Sequence, residues 1–235
     1  MSKVVFGPNA GNDWYCPVCT QADADQEQRQ KDRDERIEKQ RQNILARLAA
    51  LDVGKRFKGK TFENYVVSND RQRVAVSTCR RYAETFTDRF DSGDSMILAG
   101  RPGTGKNHLA AAISTAVVEA GFTVLHTTAL KLVRAIKETW GRDKDQTEGE
   151  AIARFMAPRL LIIDEVGVQF GSHTEQIYLM EVINGRYADM LPTILLTNLC
   201  LEDLTDCLGE QVVDRFYEGK GQVIIFDWNS HRREK

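Results

Sequence analysis

Residues 100–107 read Gly-Arg-Pro-Gly-Thr-Gly-Lys-Asn, a run whose composition suits the holding of a phosphate chain. Glycines let the backbone curl until successive N–H groups converge on an anion. The Lys106 ammonium adds a point charge for the β and γ phosphates, and a helix starting there adds its positive end. Gly100, Pro102, Gly103, Thr104, Gly105, Lys106, Asn107 and His108 are therefore expected to line a bound nucleotide. Asn107 departs from the G-x-x-x-x-G-K-[ST] pattern, in which a hydroxyl meets Mg. Reduced to its Gly and Lys positions, the pattern arises by chance in on the order of 5–10% of chains this long, so its surroundings decide.

Downstream, Leu160-Leu-Ile-Ile163 runs into Asp164 and Glu165. An apolar strand ending in two carboxylates can hold Mg with one and orient or deprotonate an attacking water with the other. Ile194-Leu-Leu-Thr-Asn198 is a second apolar run with a polar end, where Asn198 suits the positioning of water near a γ phosphate. Taken alone, each pair also fits a plain strand end. Cys16 and Cys19 have the two-residue gap that lets both thiolates reach one tetrahedral zinc, but they supply two of four ligands, and reduced free thiols fit as well. Arg215 follows Asp214, and Arg232 ends a Trp228-x-Ser230-x-Arg232 run. An arginine at a subunit boundary can neutralise transition-state charge in a neighbour, although most surface arginines do not.

The elements that would carry these residues are legible as alternation. Ser95–Ala99, Thr123–His126, Leu160–Ile163, Thr193–Leu196 and Val223–Phe226 are predicted strands, with amphipathic segments between them and an alanine-rich helix over His108–Glu119. Strands alternating with helices predict an α/β fold, a parallel sheet covered on both faces. Upstream, Gln26–Arg47 carries seven basic and five acidic residues without Gly or Pro and predicts a solvated helix. Its apolar residues, Ile37, Ile44, Leu48 and Leu51, share one narrow stripe, which suits an arm lying on the main domain or a partner-docking helix. Gly54–Thr61 reads as a linker, and helical character returns from Val66. The expected division is an arm over residues 1–55 and a main domain over 56–235.

Composition narrows the classes further. The 235 residues are 42% hydrophobic and 28% charged, which excludes general disorder and collagen-like repeats. No apolar run approaches the roughly 18–20 residues of a membrane span, and residues 1–14 lack the pattern of a secretory signal, so the expected setting is the cytoplasm, with no membrane. Five unevenly placed cysteines do not suggest a disulfide scaffold. With 32 basic against 34 acidic side chains, any nucleic-acid surface must be local.

The residues at 100–113, Ile163–Gln169, Leu196–Asn198, Asp214–Phe216 and Trp228–Arg232 together resemble the DnaC-type replicative helicase loaders of the DnaC/IstB-like group. The likeness covers roughly residues 57–233, and Asn107 after the lysine is itself shared with members of that group. The resemblance implies an AAA+ P-loop ATPase core. It also implies binding of ATP, Mg and single-stranded DNA, self-assembly into a helical or ring-like oligomer, and delivery of a DnaB-type helicase held by the N-terminal arm. On this likeness Lys106 is the Walker A lysine, Asp164 and Glu165 the Walker B acids and Asn198 the sensor 1 residue. Arg215 matches the arginine finger and Arg232 the sensor 2 arginine. For DNA it implicates Thr127–Trp140 and the loop Val168–Thr174: Lys131, Arg134 and Lys137 would form a basic helix edge, Trp140 a stacking ring and Ser172 a polar loop contact. With Asn107 in place of a hydroxyl, weak ATP turnover that rises with single-stranded DNA is expected. Two other readings stay open: an IstB-like transposition helper acting on duplex DNA, and a nucleotide-switched adaptor with little hydrolysis.

Overall fold

A computed structural model describes residues 7–8, 14–15, 17–50, 57–140, 146–167 and 173–231. The chain divides into two compact units, Met1–Ala46 and Arg47–Lys235.

In the first unit, strands β1 (Gly7–Pro8) and β2 (Trp14–Tyr15) form an antiparallel pair. Helix α1 (Pro17–Ala50) begins there and runs on into the second unit. It starts nine residues before the predicted Gln26. Its charged stretch is exposed and laced by i,i+4 hydrogen bonds, Gln28 to Asp32 at 2.8 Å and Gln42 to Glu38 at 2.7 Å. Ile37 is 56% exposed, whereas Leu48 packs with Phe57, Ala111, Val118 and Val124. The apolar stripe is thus used at Leu48, and Leu51 lies outside the described residues.

The second unit is built on one five-stranded sheet: β3 (Met96–Gly100), β4 (Val124–Thr128), β5 (Leu160–Val166), β6 (Thr193–Thr197) and β7 (Gln222–Phe226). All neighbours are parallel in the order β4-β5-β6-β3-β7. Both faces are covered, which is why the strands read as continuous apolar runs. Ile97, Leu161, Ile163 and Leu195 point into a core made with α5 (Ala129–Lys137), α6 (Glu148–Met156), α7 (His173–Ala188), α8 (Leu201–Leu208) and α9 (Glu210–Asp214). Met96, Leu98, Ile162 and Leu196 point the other way, onto α2 (Asp70–Glu84), α3 (Phe86–Ser92) and α4 (Lys106–Glu119).

All five predicted strands exist, each shifted or extended by one to three residues. Two expectations change. Helical structure begins at Asp70 rather than Val66, because Asn69 caps α2 by accepting from Gln72 N–H at 2.9 Å. Val66 and Val67 precede the cap and are exposed. Thr127 and Thr128 belong to β4, and the helix begins at Ala129 with Thr128 as its cap.

One buried cation fastens the base of the sheet. Arg186 on α7 has no exposed surface and donates to Thr193 Oγ1 at 2.9 Å and to the carbonyls of Phe155, Pro158 and Pro192 at 2.8–3.0 Å. It joins the end of α6 to the turns that lead into β5 and β6. Burial lowers its pKa to about 10, so the charge persists at neutral pH.

Candidate functional site

Parallel strands carry their C-terminal ends to one edge, and three adjacent strands bring the predicted site residues there. β3 ends at Gly100 and feeds the glycine loop, β5 carries Asp164 and Glu165, and β6 is followed by Asn198. A cavity of about 370 Å³ gathers Pro102 to His108, Asp164, Glu165 and Asn198. The same cavity is lined by Phe57, Lys60, Asn64, Tyr65, Trp228 and His231.

The glycine loop is shaped by close approach. Gly100 has φ 127°, and a Cβ there would lie 2.3 Å from the Phe226 carbonyl oxygen on the neighbouring strand. Gly105, at φ 102°, would drive a Cβ to 2.6 Å from the Tyr65 ring. Only glycine meets both conditions. α4 then starts with Gly105 as N-cap, with no side-chain cap and no acid in its first turn. Its first N–H groups thus remain suited to an anion.

Lys106 is buried, and its ammonium donates to Gly100 O at 2.6 Å, Arg101 O at 2.9 Å and Asn198 Oδ1 at 2.9 Å. Asn107 donates its amide to Asp164 Oδ2, and Glu165 N–H donates to Asp164 Oδ1 at 2.7 Å. Burial raises the Asp164 pKa above its ordinary 3.8, opposed by those two hydrogen bonds and by the Lys106 charge. Asp164 and Glu165 lie within β5 rather than after it. The pairing with β6 slips between Ile163 and Val166, and Glu165 takes φ 58°, so its side chain is turned out into the cavity. A half-buried carboxylate beside an amide is an oxygen donor set that suits Mg. Together with a lysine and helix N–H groups, the arrangement can take a polyphosphate with its cation.

His108 lines the cavity but turns its Nε2 to Thr61 O at 2.8 Å and meets the Tyr65 ring edge-on at 5.0 Å. Burial lowers its pKa. Arg215 lies elsewhere. It donates to Asn184 on α7, sits 4.6 Å over the Tyr187 ring, and lines a small cleft with Ser95 and Thr193. Ser95 and Thr193 stand at the starts of β3 and β6, so Arg215 is at the end of the sheet opposite the glycine loop. Arg232 lies outside the described residues, although its neighbour His231 donates its backbone N–H to Gly103 O at 3.2 Å.

Of the basic edge, Lys131 and Arg134 are exposed on α5. Lys137 pairs with Glu175 at 3.0 Å and lies over the Trp140 ring at 5.7 Å. Trp140 is 50% exposed; its indole N–H donates to Glu148 at 3.1 Å and its ring tilts against Tyr178. Ser172 and Cys16 lie outside the described residues, and nothing is described of the Cys19 side chain. Among the described residues no cluster of three or more His, Cys, Asp or Glu could hold a metal, and zinc is carried no further. No described helix is long and apolar enough to cross a membrane.

Tyr65 and Trp228 were not foreseen as site residues. Each donates a 2.9 Å hydrogen bond to the same oxygen, the Thr104 carbonyl. Nothing in local spacing signals this, because the partners are 39 and 124 positions away from Thr104.

The family model of IstB-like ATP binding proteins matches residues 23–223. The replicative helicase loader DnaC of Escherichia coli is 38% identical over 172 residues, spanning 73% of this chain and 69% of that protein. DnaC of Buchnera aphidicola subsp. Schizaphis graminum is 33% identical over 192 residues, 82% of this chain and 76% of that one. A crystal structure of the DnaC helicase loader matches with a TM-score of 0.65 at 26% identity, covering 74% of this chain and 99% of that chain. A P-loop α/β core, a site arranged for nucleotide and these matches lead to one conclusion: the chain belongs to the DnaC/IstB-like group of AAA+ ATP-binding proteins.

Proposed function

We propose that this chain is an ATP-dependent loader which binds a DnaB-type replicative helicase and single-stranded DNA and helps to put the helicase on DNA. The observation that carries the ATP half is the convergence of Lys106, Asn107, Asp164, Glu165 and Asn198 on one cavity from three adjacent strands. The helicase half rests on the likeness to DnaC loaders.

In this reading the glycine loop and Lys106 bind the β and γ phosphates, and Asp164 with Asn107 would hold Mg, whose charge would offset that of the phosphates. Glu165, turned into the cavity, orients the attacking water, and Asn198 fixes it beside the γ phosphate. Arg215 faces away from its own loop, which suits a charge delivered to the site of a neighbouring copy in an oligomer. Residues 1–55 are the helicase-holding arm, residues 56–235 the ATPase domain. Lys131 and Arg134 are the exposed cations for DNA phosphates, with Lys137 and Trp140 flanking them. Turnover is slow and rises when DNA orders the subunit boundary.

The test is a pull-down of replicative helicase by the full chain with ATP and Mg, repeated with Lys106→Ala. Retention of helicase by the wild type, with loss of ATP-dependent behaviour in the variant, supports the loader. The match to IstB-like proteins keeps a second reading: duplex DNA and a transposase retained, with no helicase, favours the transposition helper. Unchanged function of Glu165→Gln in cells would favour the adaptor.

A further inference from the structure

The Thr104 carbonyl is held from two sides. Tyr65 Oη and Trp228 Nε1 each donate to it at 2.9 Å, which uses both lone pairs of one carbonyl oxygen. Neither donor is near it in sequence. Tyr65 comes from the segment before α2. Trp228 follows β7, whose parallel pairing with β3 brings Phe226 opposite Gly100 and so delivers the next residues to the glycine loop. That junction is fastened further, since Arg101 N–H donates to Phe226 O at 3.1 Å and Thr104 Oγ1 to Arg101 O at 2.7 Å.

Peptide planarity gives these contacts a consequence. In a trans peptide the C=O and the following N–H point in opposite directions. Two donors that fix the Thr104 oxygen on one side therefore fix the Gly105 N–H on the other. Gly105 is the N-cap of α4 and lines the cavity with Lys106. We propose that Tyr65 and Trp228 are positioning residues that, by jointly holding the Thr104 carbonyl, aim the Gly105 N–H at the phosphate chain. The inference rests on the nucleotide reading above and adds two residues to it. A preset dipole stabilises an anion without the cost of reorienting at binding. The Tyr65 ring also occupies the space that a Gly105 side chain would need, so the segment before α2 fixes both the orientation and the residue type of this peptide. The Tyr65 hydroxyl, pushed up to about 12 by burial, stays protonated and remains a donor across the working range.

Both residues line the cavity, so they could instead shape the pocket for the nucleoside, and the experiment separates the two roles. Displacement of a fluorescent ADP analogue by ADP, inorganic pyrophosphate and adenosine is measured for the full chain, Tyr65→Phe, Trp228→Phe and the double variant. Tyr65→Phe keeps the ring and removes only the donor. The expected result is a loss of about three- to ten-fold for ADP and for pyrophosphate in each single variant, with adenosine unchanged. The double variant loses more than either single one. The ratio of pyrophosphate to adenosine affinity does not depend on the fraction of folded protein, so partial misfolding does not mimic the result. Equal losses for adenosine and pyrophosphate, or no loss in either single variant, overturn the proposal while leaving nucleotide binding intact. A wild-type chain that fails to bind the ADP analogue overturns the nucleotide reading itself.

Discussion

Lys106 and Asn198, 92 positions apart, are joined by a 2.9 Å hydrogen bond from the ammonium to the amide oxygen. The bond links the glycine loop after β3 to the end of β6, and it matches the ammonium to a neutral acceptor. Neutrality matters in the proposed site, where a phosphate would have to draw the same charge. An amide competes with a phosphate oxygen far less than a carboxylate would.

Asn198→Asp should therefore strengthen the resting contact and weaken the working one. Asn198 is exposed, so an ion pair with Lys106 is worth about 1 kcal/mol more than the neutral bond, and the loss of ATP affinity should be roughly five-fold, with Tm unchanged or higher. ATP titration and thermal melts measure the two quantities. A variant that binds ATP as the wild type does would mean that Lys106 does not meet the phosphates.

Asp164 makes site and stability depend on pH in opposite senses. Its folded pKa is raised by burial above 3.8, so between the two values the folded state holds a proton that the unfolded state has released. Stability from this group is full below about pH 4 and declines as pH rises through the folded value. In the proposed site Mg would need the carboxylate, so affinity for MgATP should fall on acidification earlier than for an ordinary aspartate. Asp164→Asn should remove this component from the dependence of Tm on pH and abolish Mg-dependent turnover. Melts between pH 4 and pH 7 with both proteins check the sign. A wild-type and variant pair with parallel profiles would assign the shift elsewhere.

Much of the site was legible in the sequence because its parts sit at strand ends. An apolar run followed by Gly, Asp-Glu or Asn is a local signal, and a parallel sheet brings such ends together without further information. What spacing could not give was side-chain direction. Asp164 and Glu165 looked like residues beyond a strand, but pairing carries β5 to Val166 and a register slip turns Glu165 outward. Lys131, Arg134 and Lys137 share a spacing, and that spacing does not tell that Lys137 is drawn back to Glu175 on α7. Tyr65 and Trp228 were hidden more completely, since their partner is a backbone oxygen and leaves no residue type to read.

Arg186 should be the most sensitive structural residue of the second unit. Its acceptors are one hydroxyl and several carbonyls, grouped where α6 and α7 meet the starts of β5 and β6. Arg186→Ala leaves these oxygens buried and unpaired and is expected to cost about 3–5 kcal/mol in urea unfolding. Arg186→Lys should recover little, because a three-donor point charge cannot span acceptors that a planar fork reaches. Recovery to within about 1 kcal/mol by Lys would reduce the site to a simple buried charge.

Arg215 offers a test of assembly that needs no structure of the oligomer. It is held by Asn184 and the Tyr187 ring at the end of the sheet opposite its own glycine loop. In the proposed mechanism a charge there would serve catalysis only in a neighbouring copy. Arg215→Ala and Glu165→Gln should each lower ATP turnover by about 10³-fold or to background. Mixing the two proteins should restore part of it, because a Glu165→Gln copy still supplies Arg215 to the intact site of an Arg215→Ala copy. Recovery should rise with protein concentration and peak near equal amounts. Turnover that stays at background in every mixture, while both variants bind ATP and co-assemble, would remove Arg215 from the reaction and leave its bond to Asn184 as its whole role.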